Sequence, residues 1–206
     1  MPTRPVARPT PPFYVSPDDS AGKVNILTAA LHLFVRDGLC ETSVRDIAAE
    51  SGVTNPALFK HFESKDELAR FLFECCYLEL ARRVAAAIAS GGSFASRQRA
   101  IVDTYLDMLD RDADSVLYVQ DNLRHFWPKM PATVRRQSII GDIRRFLESG
   151  RAEKKVTNAV DLGLLTVAWI GTLQQIARAK YFGEFEQPTE ELADAIDSVL
   201  TKMTRP

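Results

Sequence analysis

Apolar positions recur at helical spacing through most of the chain, and capping residues, glycines and prolines separate the runs, so the pattern predicts an all-α protein. Leu27, Ala30, Leu31 and Phe34 make the first stripe; its helix is expected to open at Ser16-Pro17-Asp18-Asp19 and to close at Gly38. Three helix starts then crowd into Thr42 to Leu68. Ser43 with Asp46 predicts a capped start ahead of Ile47 and Ala48, ended by Gly52, whose backbone freedom suits a tight turn pinned by Val53. Thr54 caps a short segment expected over Asn55 to His61, with Leu58 and Phe62 inward. Ser64 and Glu67 form a capping-box pattern before Leu68, Phe71 and Leu72, opening a long helix from Lys65 to about Ala89. Its end at Ser90-Gly91-Gly92 is the expected hinge.

Beyond the hinge the pattern predicts a helical bundle with segments Phe94 to Asp110, Ser115 to Phe126, Pro131 to Ser149, Asn158 to Phe182 and Thr189 to Met203. The fourth of these is apolar on nearly every side and the fifth carries one stripe, Leu192, Ala193, Ile196, Val199 and Leu200. A two-fold pairing of both with a second copy would bury them, with Gly163 and Gly171 permitting close approach. The expected interface residues are Leu165, Trp169, Thr172, Leu192, Ile196, Val199 and Leu200.

The spacing of the starts between Thr42 and Leu68 is that of a helix-turn-helix, which sets a short polar helix where it can enter a DNA major groove. The helix starts at Thr42/Ser43 and Ser64/Lys65 are natural phosphate seats, with Arg45 beside the first and the Lys65 cation at the second. On the short helix Thr54, Asn55, Lys60 and His61 supply hydrogen-bonding groups, and Pro56 and Ala57 small apolar surfaces for a thymine methyl.

The run ILTAALHLFVRDGLCETSVRDIAAESGVTNPALFKHFESKDEL resembles the N-terminal signature of the TetR-type bacterial transcriptional regulators: a first helix ending in glycine, then TS..DIA, GV and LF.HF.SK..L. The resemblance covers roughly residues 23 to 70. It implies a dimer on a palindromic operator, released by a small-molecule effector, and more often a repressor than an activator. Two positions depart from the family pattern: Phe59 stands where relatives carry a tyrosine whose hydroxyl reaches a phosphate, and Asn55-Pro56 where a glycine or small polar residue is common. On this reading residues 1–15 are a disordered Pro-rich arm, 16–64 the DNA-binding domain, 65–90 a connecting helix and 91–206 the ligand-binding and dimerisation domain.

Composition fits a small cytoplasmic regulator, with 206 residues, 46% of them hydrophobic, no apolar run long enough for a membrane span and no signal-like core after the N-terminal charges. Charge argues the other way. From Cys40 to Arg70 four cations (Arg45, Lys60, Lys65, Arg70) face six acids (Glu41, Asp46, Glu50, Glu63, Asp66, Glu67), an unusual balance for a nucleic-acid surface. Few neutralised phosphates mean weak non-specific binding, so useful affinity needs a dimer. An adaptor that keeps the fold without binding DNA is the alternative.

No Gly-rich phosphate loop, nucleophile elbow, HExxH pair or CxxC is present, which argues against an enzyme. Cys40, Cys75 and Cys76 form no disulfide or zinc framework, and neither a cofactor nor a metal is expected. Effector-lining candidates are the aromatic residues Tyr77, Tyr105, Tyr118, Phe126, Trp127, Phe146 and Trp169, with Asn122 and Gln174 as polar handles. For an acidic ligand the obvious partners are His125 and Arg144.

Overall fold

Local caps fix where the N-terminal helices begin. The computed structural model describes residues 12–185 and 187–206, and all regular structure among them is helical: α1 (Ala21–Arg36), α2 (Val44–Ser51), α3 (Asn55–Phe59), α4 (Lys65–Ile88), α5 (Phe94–Phe126), a 3-10 turn (Trp127–Lys129), α6 (Ala132–Arg135), α7 (Ile139–Ala152), α8 (Leu162–Tyr181) and α9 (Thr189–Thr204). The chain divides into two compact units, one ending at Cys75 and the other beginning at Cys76, so the division falls within α4.

In the first unit α1 starts later than Ser16-Pro17 suggests. Those residues form a turn in which Asp19 N–H donates to Ser16 O and Ser16 N–H to the Asp19 carboxylate, and Ser20 is the cap, accepting from Lys23 N–H at 3.3 Å. Most of the expected arm, residues 1–11, lies outside the described residues. Residues 12–15 turn back, with Val15 N–H on Pro12 O at 3.0 Å and Tyr14 buried. The core joins Ile26, Leu27, Ala30, Leu31 and Phe34 of α1 to Ile47 and Ala48 of α2, Leu58 of α3, and Phe62, Leu68 and Leu72.

In the second unit the break expected between Asp110 and Ser115 is a kink inside α5. Asp112 leaves helical geometry (φ −159°, ψ 74°) but caps the resumed helix, its carboxylate accepting from Ser115 N–H at 3.2 Å. Burial there raises the Asp112 carboxyl pKa above its ordinary value. The segment expected from Pro131 to Ser149 is instead two helices, because Ser138 accepts from Gly141 N–H and starts α7 afresh. α8 begins at Leu162 rather than Asn158, since Asp161 accepts from Leu164 N–H at 2.9 Å and sets the start.

The tightest packing in this unit is at Gly150 of α7. A Cβ there would lie 2.5 Å from both Phe94 Cε2 and Val156 Cγ2, and Phe94 is held by stacking on Phe146 at 4.5 Å between centroids. Gly150→Ala is therefore expected to destabilise the protein by about 1–3 kcal/mol, read as a lower urea midpoint with unchanged slope.

Candidate nucleic-acid interface and effector cavity

The turn between α2 and α3 is built from two caps and one glycine. Ser43 accepts from Asp46 N–H at 3.3 Å while the Asp46 carboxylate accepts from Ser43 N–H at 2.8 Å, a complete capping box whose hydrogen bonds hold the Asp46 pKa down. Gly52 adopts the left-handed conformation (φ 70°, ψ 20°) and Val53 N–H closes back on Ala48 O, leaving the Val53 side chain half-buried. Thr54 then caps α3, accepting from Ala57 N–H at 3.4 Å. Leu58 and Phe62 turn inward, while Thr54, Pro56, Phe59, Lys60 and His61 are exposed and Asn55 and Ala57 half-exposed. α3 proper is only five residues, and Lys60 and His61 lie in the turn after it rather than on a further helical turn.

Among the proposed phosphate seats, Ser43 and Arg45 are exposed. Thr42 and Lys65 are corrections. Thr42 is 1% exposed, and its hydroxyl donates inward to Gly38 O (2.8 Å) and is within 3.2 Å of Leu33 O, so it ties the end of α1 to the start of α2. Lys65 Nζ donates to Leu39 O at 2.8 Å and Thr42 O at 2.7 Å, so the half-exposed side chain braces the α1–α2 loop and spends two of its three donors there. The capping box at Ser64 is also partial: Ser64 accepts from Glu67 N–H, but the Glu67 carboxylate accepts from Glu63 N–H at 2.6 Å, one residue further out. Lys65→Met is expected to lower stability by about 2 kcal/mol, the worth of a charge-assisted hydrogen-bond pair. It should leave the salt dependence of DNA binding unchanged, whereas losing a phosphate-contacting cation lowers that slope by about 1; urea unfolding and a salt titration separate the two.

The second unit holds a cavity of about 160 Å³. Its wall comprises Tyr77, Leu80 and Val84 of α4, Ile101, Tyr105, Val119, Gln120 and Leu123 of α5, Trp127, the α7 cap Ser138 with Ile139, Ile140 and Ile143 of α7, and Trp169, Ile170, Leu173 and Gln174 of α8. Tyr77 anchors this wall: its hydroxyl donates to Gln137 O at 3.1 Å and accepts from Ile139 N–H at 3.2 Å, and its ring packs on Trp127 at 4.7 Å. Burial lifts the Tyr77 and Tyr105 hydroxyl pKa values, so both stay neutral.

Five expected residues thus meet at the cavity: Tyr77, Tyr105, Trp127, Trp169 and Gln174. Four do not. Tyr118 and Phe126 are fully buried in packed core, Phe146 stacks on Phe94, and Asn122 donates to Tyr118 O. On α5 the wall follows Tyr105, Val119 and Leu123, whereas Tyr118, Asn122 and Phe126 occupy a neighbouring stripe. Gln120, Ile139 and Ile143 were missed; continuing the helical phase from Tyr105 points to the α5 wall, but nothing local marks the α7 residues. Neither His125 nor Arg144 lines the cavity.

The expected self-association face also needs correction. Leu165, Trp169, Leu192, Ile196 and Leu200 are at most 3% exposed, filling the unit's own core. The large apolar residues most exposed on α8 and α9 are Leu164 and Val167, each 63% exposed, and Val199 at 48%. Thr172 is half-buried, its hydroxyl donating back to Ala168 O.

Among the described residues no group of His, Cys, Asp or Glu is arranged to hold a metal ion, and no helix is long and apolar enough to cross a membrane. Cys40 is exposed, Cys75 half-buried and Cys76 buried; burial pushes the Cys75 thiol up to about 11, away from a reactive thiolate.

Residues 26–71, which contain the whole turn and both flanking helices, match the family model described as bacterial regulatory proteins, tetR family. This helix-turn-helix segment is that of the TetR family. The HTH-type transcriptional repressor KstR2 of Rhodococcus jostii is 31% identical over 112 residues, 52% of this chain and 55% of that protein, so the chain spans about half the length of the curated relative it matches. Among solved structures, the ketosteroid regulator KstR2 of Mycobacterium tuberculosis aligns with TM-score 0.77 at 18% identity over 93% of this chain and 97% of its own. FadR of Bacillus subtilis, solved in complex with stearoyl-CoA, aligns with TM-score 0.68 at 15% identity over 89% and 100%. At these identities the two structures show the TetR fold alone.

Proposed function

We propose that the protein is a DNA-binding transcriptional regulator, most simply a repressor, that holds a palindromic operator as a homodimer in the cytoplasm and releases it when a small apolar effector binds. One observation carries the reading: α3 is capped at Thr54, anchored by Leu58 and Phe62, and turns Asn55, Lys60 and His61 outward from a rigid three-helix head. Ser43 and Arg45 at the start of α2 add a phosphate seat, and Phe59 offers an apolar ring where a hydroxyl is usual in the family.

The effector reading is supported by the cavity in the second unit and by the stearoyl-CoA held by a protein of the same fold. α4 carries Leu68 and Leu72 in the core of the first unit and Tyr77, Leu80 and Val84 in the cavity wall. An effector that prefers one placement of α4 would alter the separation of two recognition helices that must match grooves about 34–36 Å apart. Operator must then weaken effector binding by the same factor that effector weakens operator binding. Dimerisation is supported by the outward apolar groups Leu164, Val167 and Val199.

The test is electrophoretic retardation of the DNA upstream of the protein's own coding region, with unrelated DNA of equal length as competitor. A shift that survives competitor supports the regulator. No preference at any salt concentration would favour the adaptor that keeps the fold without reading DNA, which the excess of acids between Cys40 and Arg70 and the internal use of Lys65 support.

A further inference from the structure

The cavity wall carries hydrogen-bond donors but no charge. Trp169 is fully buried and lines the cavity, and its indole N–H has no acceptor among the described residues. A buried donor left unmatched is uncommon in folded proteins and disfavours the state in which it stays so. Tyr105, on the same wall, accepts from Gln120 Nε2 at 2.6 Å, which leaves its own hydroxyl proton to be donated. Ser138 is engaged as the cap of α7 and Tyr77 as the brace to Gln137 and Ile139. No Lys, Arg, His, Asp or Glu stands among the lining residues.

We infer that the effector presents to this cavity an uncharged apolar group bearing a carbonyl acceptor, such as a ketone, ester, thioester or lactone, held by the Trp169 indole N–H and the Tyr105 hydroxyl, and not a free carboxylate. The inference rests on reading the cavity as the effector site. The chemistry follows from what the wall lacks as much as from what it has. A buried carboxylate needs a cation or several donors to replace its water, and none of the lining residues is a cation. A carbonyl oxygen is satisfied by one or two neutral donors such as the Trp169 indole and the Tyr105 hydroxyl. A purely apolar ligand would fill the space but leave Trp169 unmatched. The size is close to that of engineered cavities of about 150 Å³ that admit benzene, so the buried part is a ring or short chain and any larger portion lies outside it.

Three probes of nearly equal shape separate these possibilities: acetophenone, ethylbenzene and benzoate. The chain contains two tryptophans, Trp127 and Trp169, so the isotope-labelled full-length protein gives two indole N–H resonances, which Trp127→Phe assigns. The expected result is that acetophenone moves the Trp169 indole proton downfield and binds roughly tenfold more tightly than ethylbenzene, the worth of one good hydrogen bond. Benzoate should leave both resonances in place. Trp169→Phe should narrow the preference for acetophenone over ethylbenzene, and Trp169→Phe combined with Tyr105→Phe should abolish it, without weakening ethylbenzene; if these variants fail to fold, the indole shift and the affinity ratio in the unsubstituted protein decide. Equal binding of acetophenone and ethylbenzene with a stationary indole overturns the carbonyl assignment while leaving the cavity an effector site. Tighter binding of benzoate overturns it too. Failure of all three probes to bind overturns both the assignment and the effector reading of the cavity, leaving the DNA reading to its own test.

Discussion

Replacing Leu164 and Val167 together by Asp is expected to give a monomer with unchanged helical content and no operator retardation. Both side chains are 63% exposed on α8, and Val199 at 48% extends the apolar exposure on α9. Apolar groups of this size left outward on two helices support the association surface proposed above. A carboxylate at each position would require two charges per protomer to lose water against an apolar partner, a penalty of several kcal/mol for each ion. Loss of the dimer removes operator binding because each head has few cations for phosphates and one half-site alone is weak. Leu165→Ala, one residue along, is expected to behave in the opposite way. Leu165 is 2% exposed in the protomer core, so truncation should cost about 2–5 kcal/mol of stability while the dimer persists. Light scattering and urea unfolding on both variants check this. A double variant that remains dimeric would place the interface elsewhere.

Combining Asn55→Ala with Lys60→Ala is expected to abolish specific retardation and leave the circular dichroism spectrum and the dimer intact. Neither residue supports the fold: Lys60 is exposed beyond α3, Asn55 is half-exposed, and the local structure depends on Thr54, Leu58 and Phe62. A well-placed base contact is worth about 1–3 kcal/mol, and a dimer loses it in both half-sites, so operator affinity should fall by at least about thirtyfold. The lost lysine should also lower the salt slope by about 1 for each head. Thr54→Ala is a less clean probe, because it removes the cap of α3 along with any contact to DNA. Unchanged operator affinity in the double variant would show that the outward face of α3 is not what reads DNA.

The features legible in the sequence were those determined over three or four residues. Ser43 with Asp46, Gly52, Thr54 and the inward Leu58 and Phe62 all stand where local rules put them, since a cap or a left-handed turn needs no distant partner. Positions that depend on distant groups were not legible. Lys65 reaches carbonyls 26 and 23 residues earlier in the chain, and nothing near it distinguishes a brace from a phosphate contact. On α8 and α9 hydrophobicity alone picked the stripe that the protomer buries for itself; which apolar residues remain outside depends on how α5 packs against both. The aromatic candidates on α5 failed for a related reason. Being aromatic says that a side chain is buried, and only its phase along the helix says whether it meets a cavity or a packed neighbour. The break read between Asp110 and Ser115 was local too: four aspartates lie between residues 107 and 114, and α5 kinks at Asp112, whose carboxylate caps the helix that resumes.

The inward anchoring of Lys65 has a consequence at the scale of the chromosome. A head that keeps one of its few positive charges on its own carbonyls has little hold on arbitrary sequence, so nearly every encounter with the wrong stretch ends quickly. Such a protein loses few molecules to decoys, and a small number of copies is enough to keep a genuine target occupied.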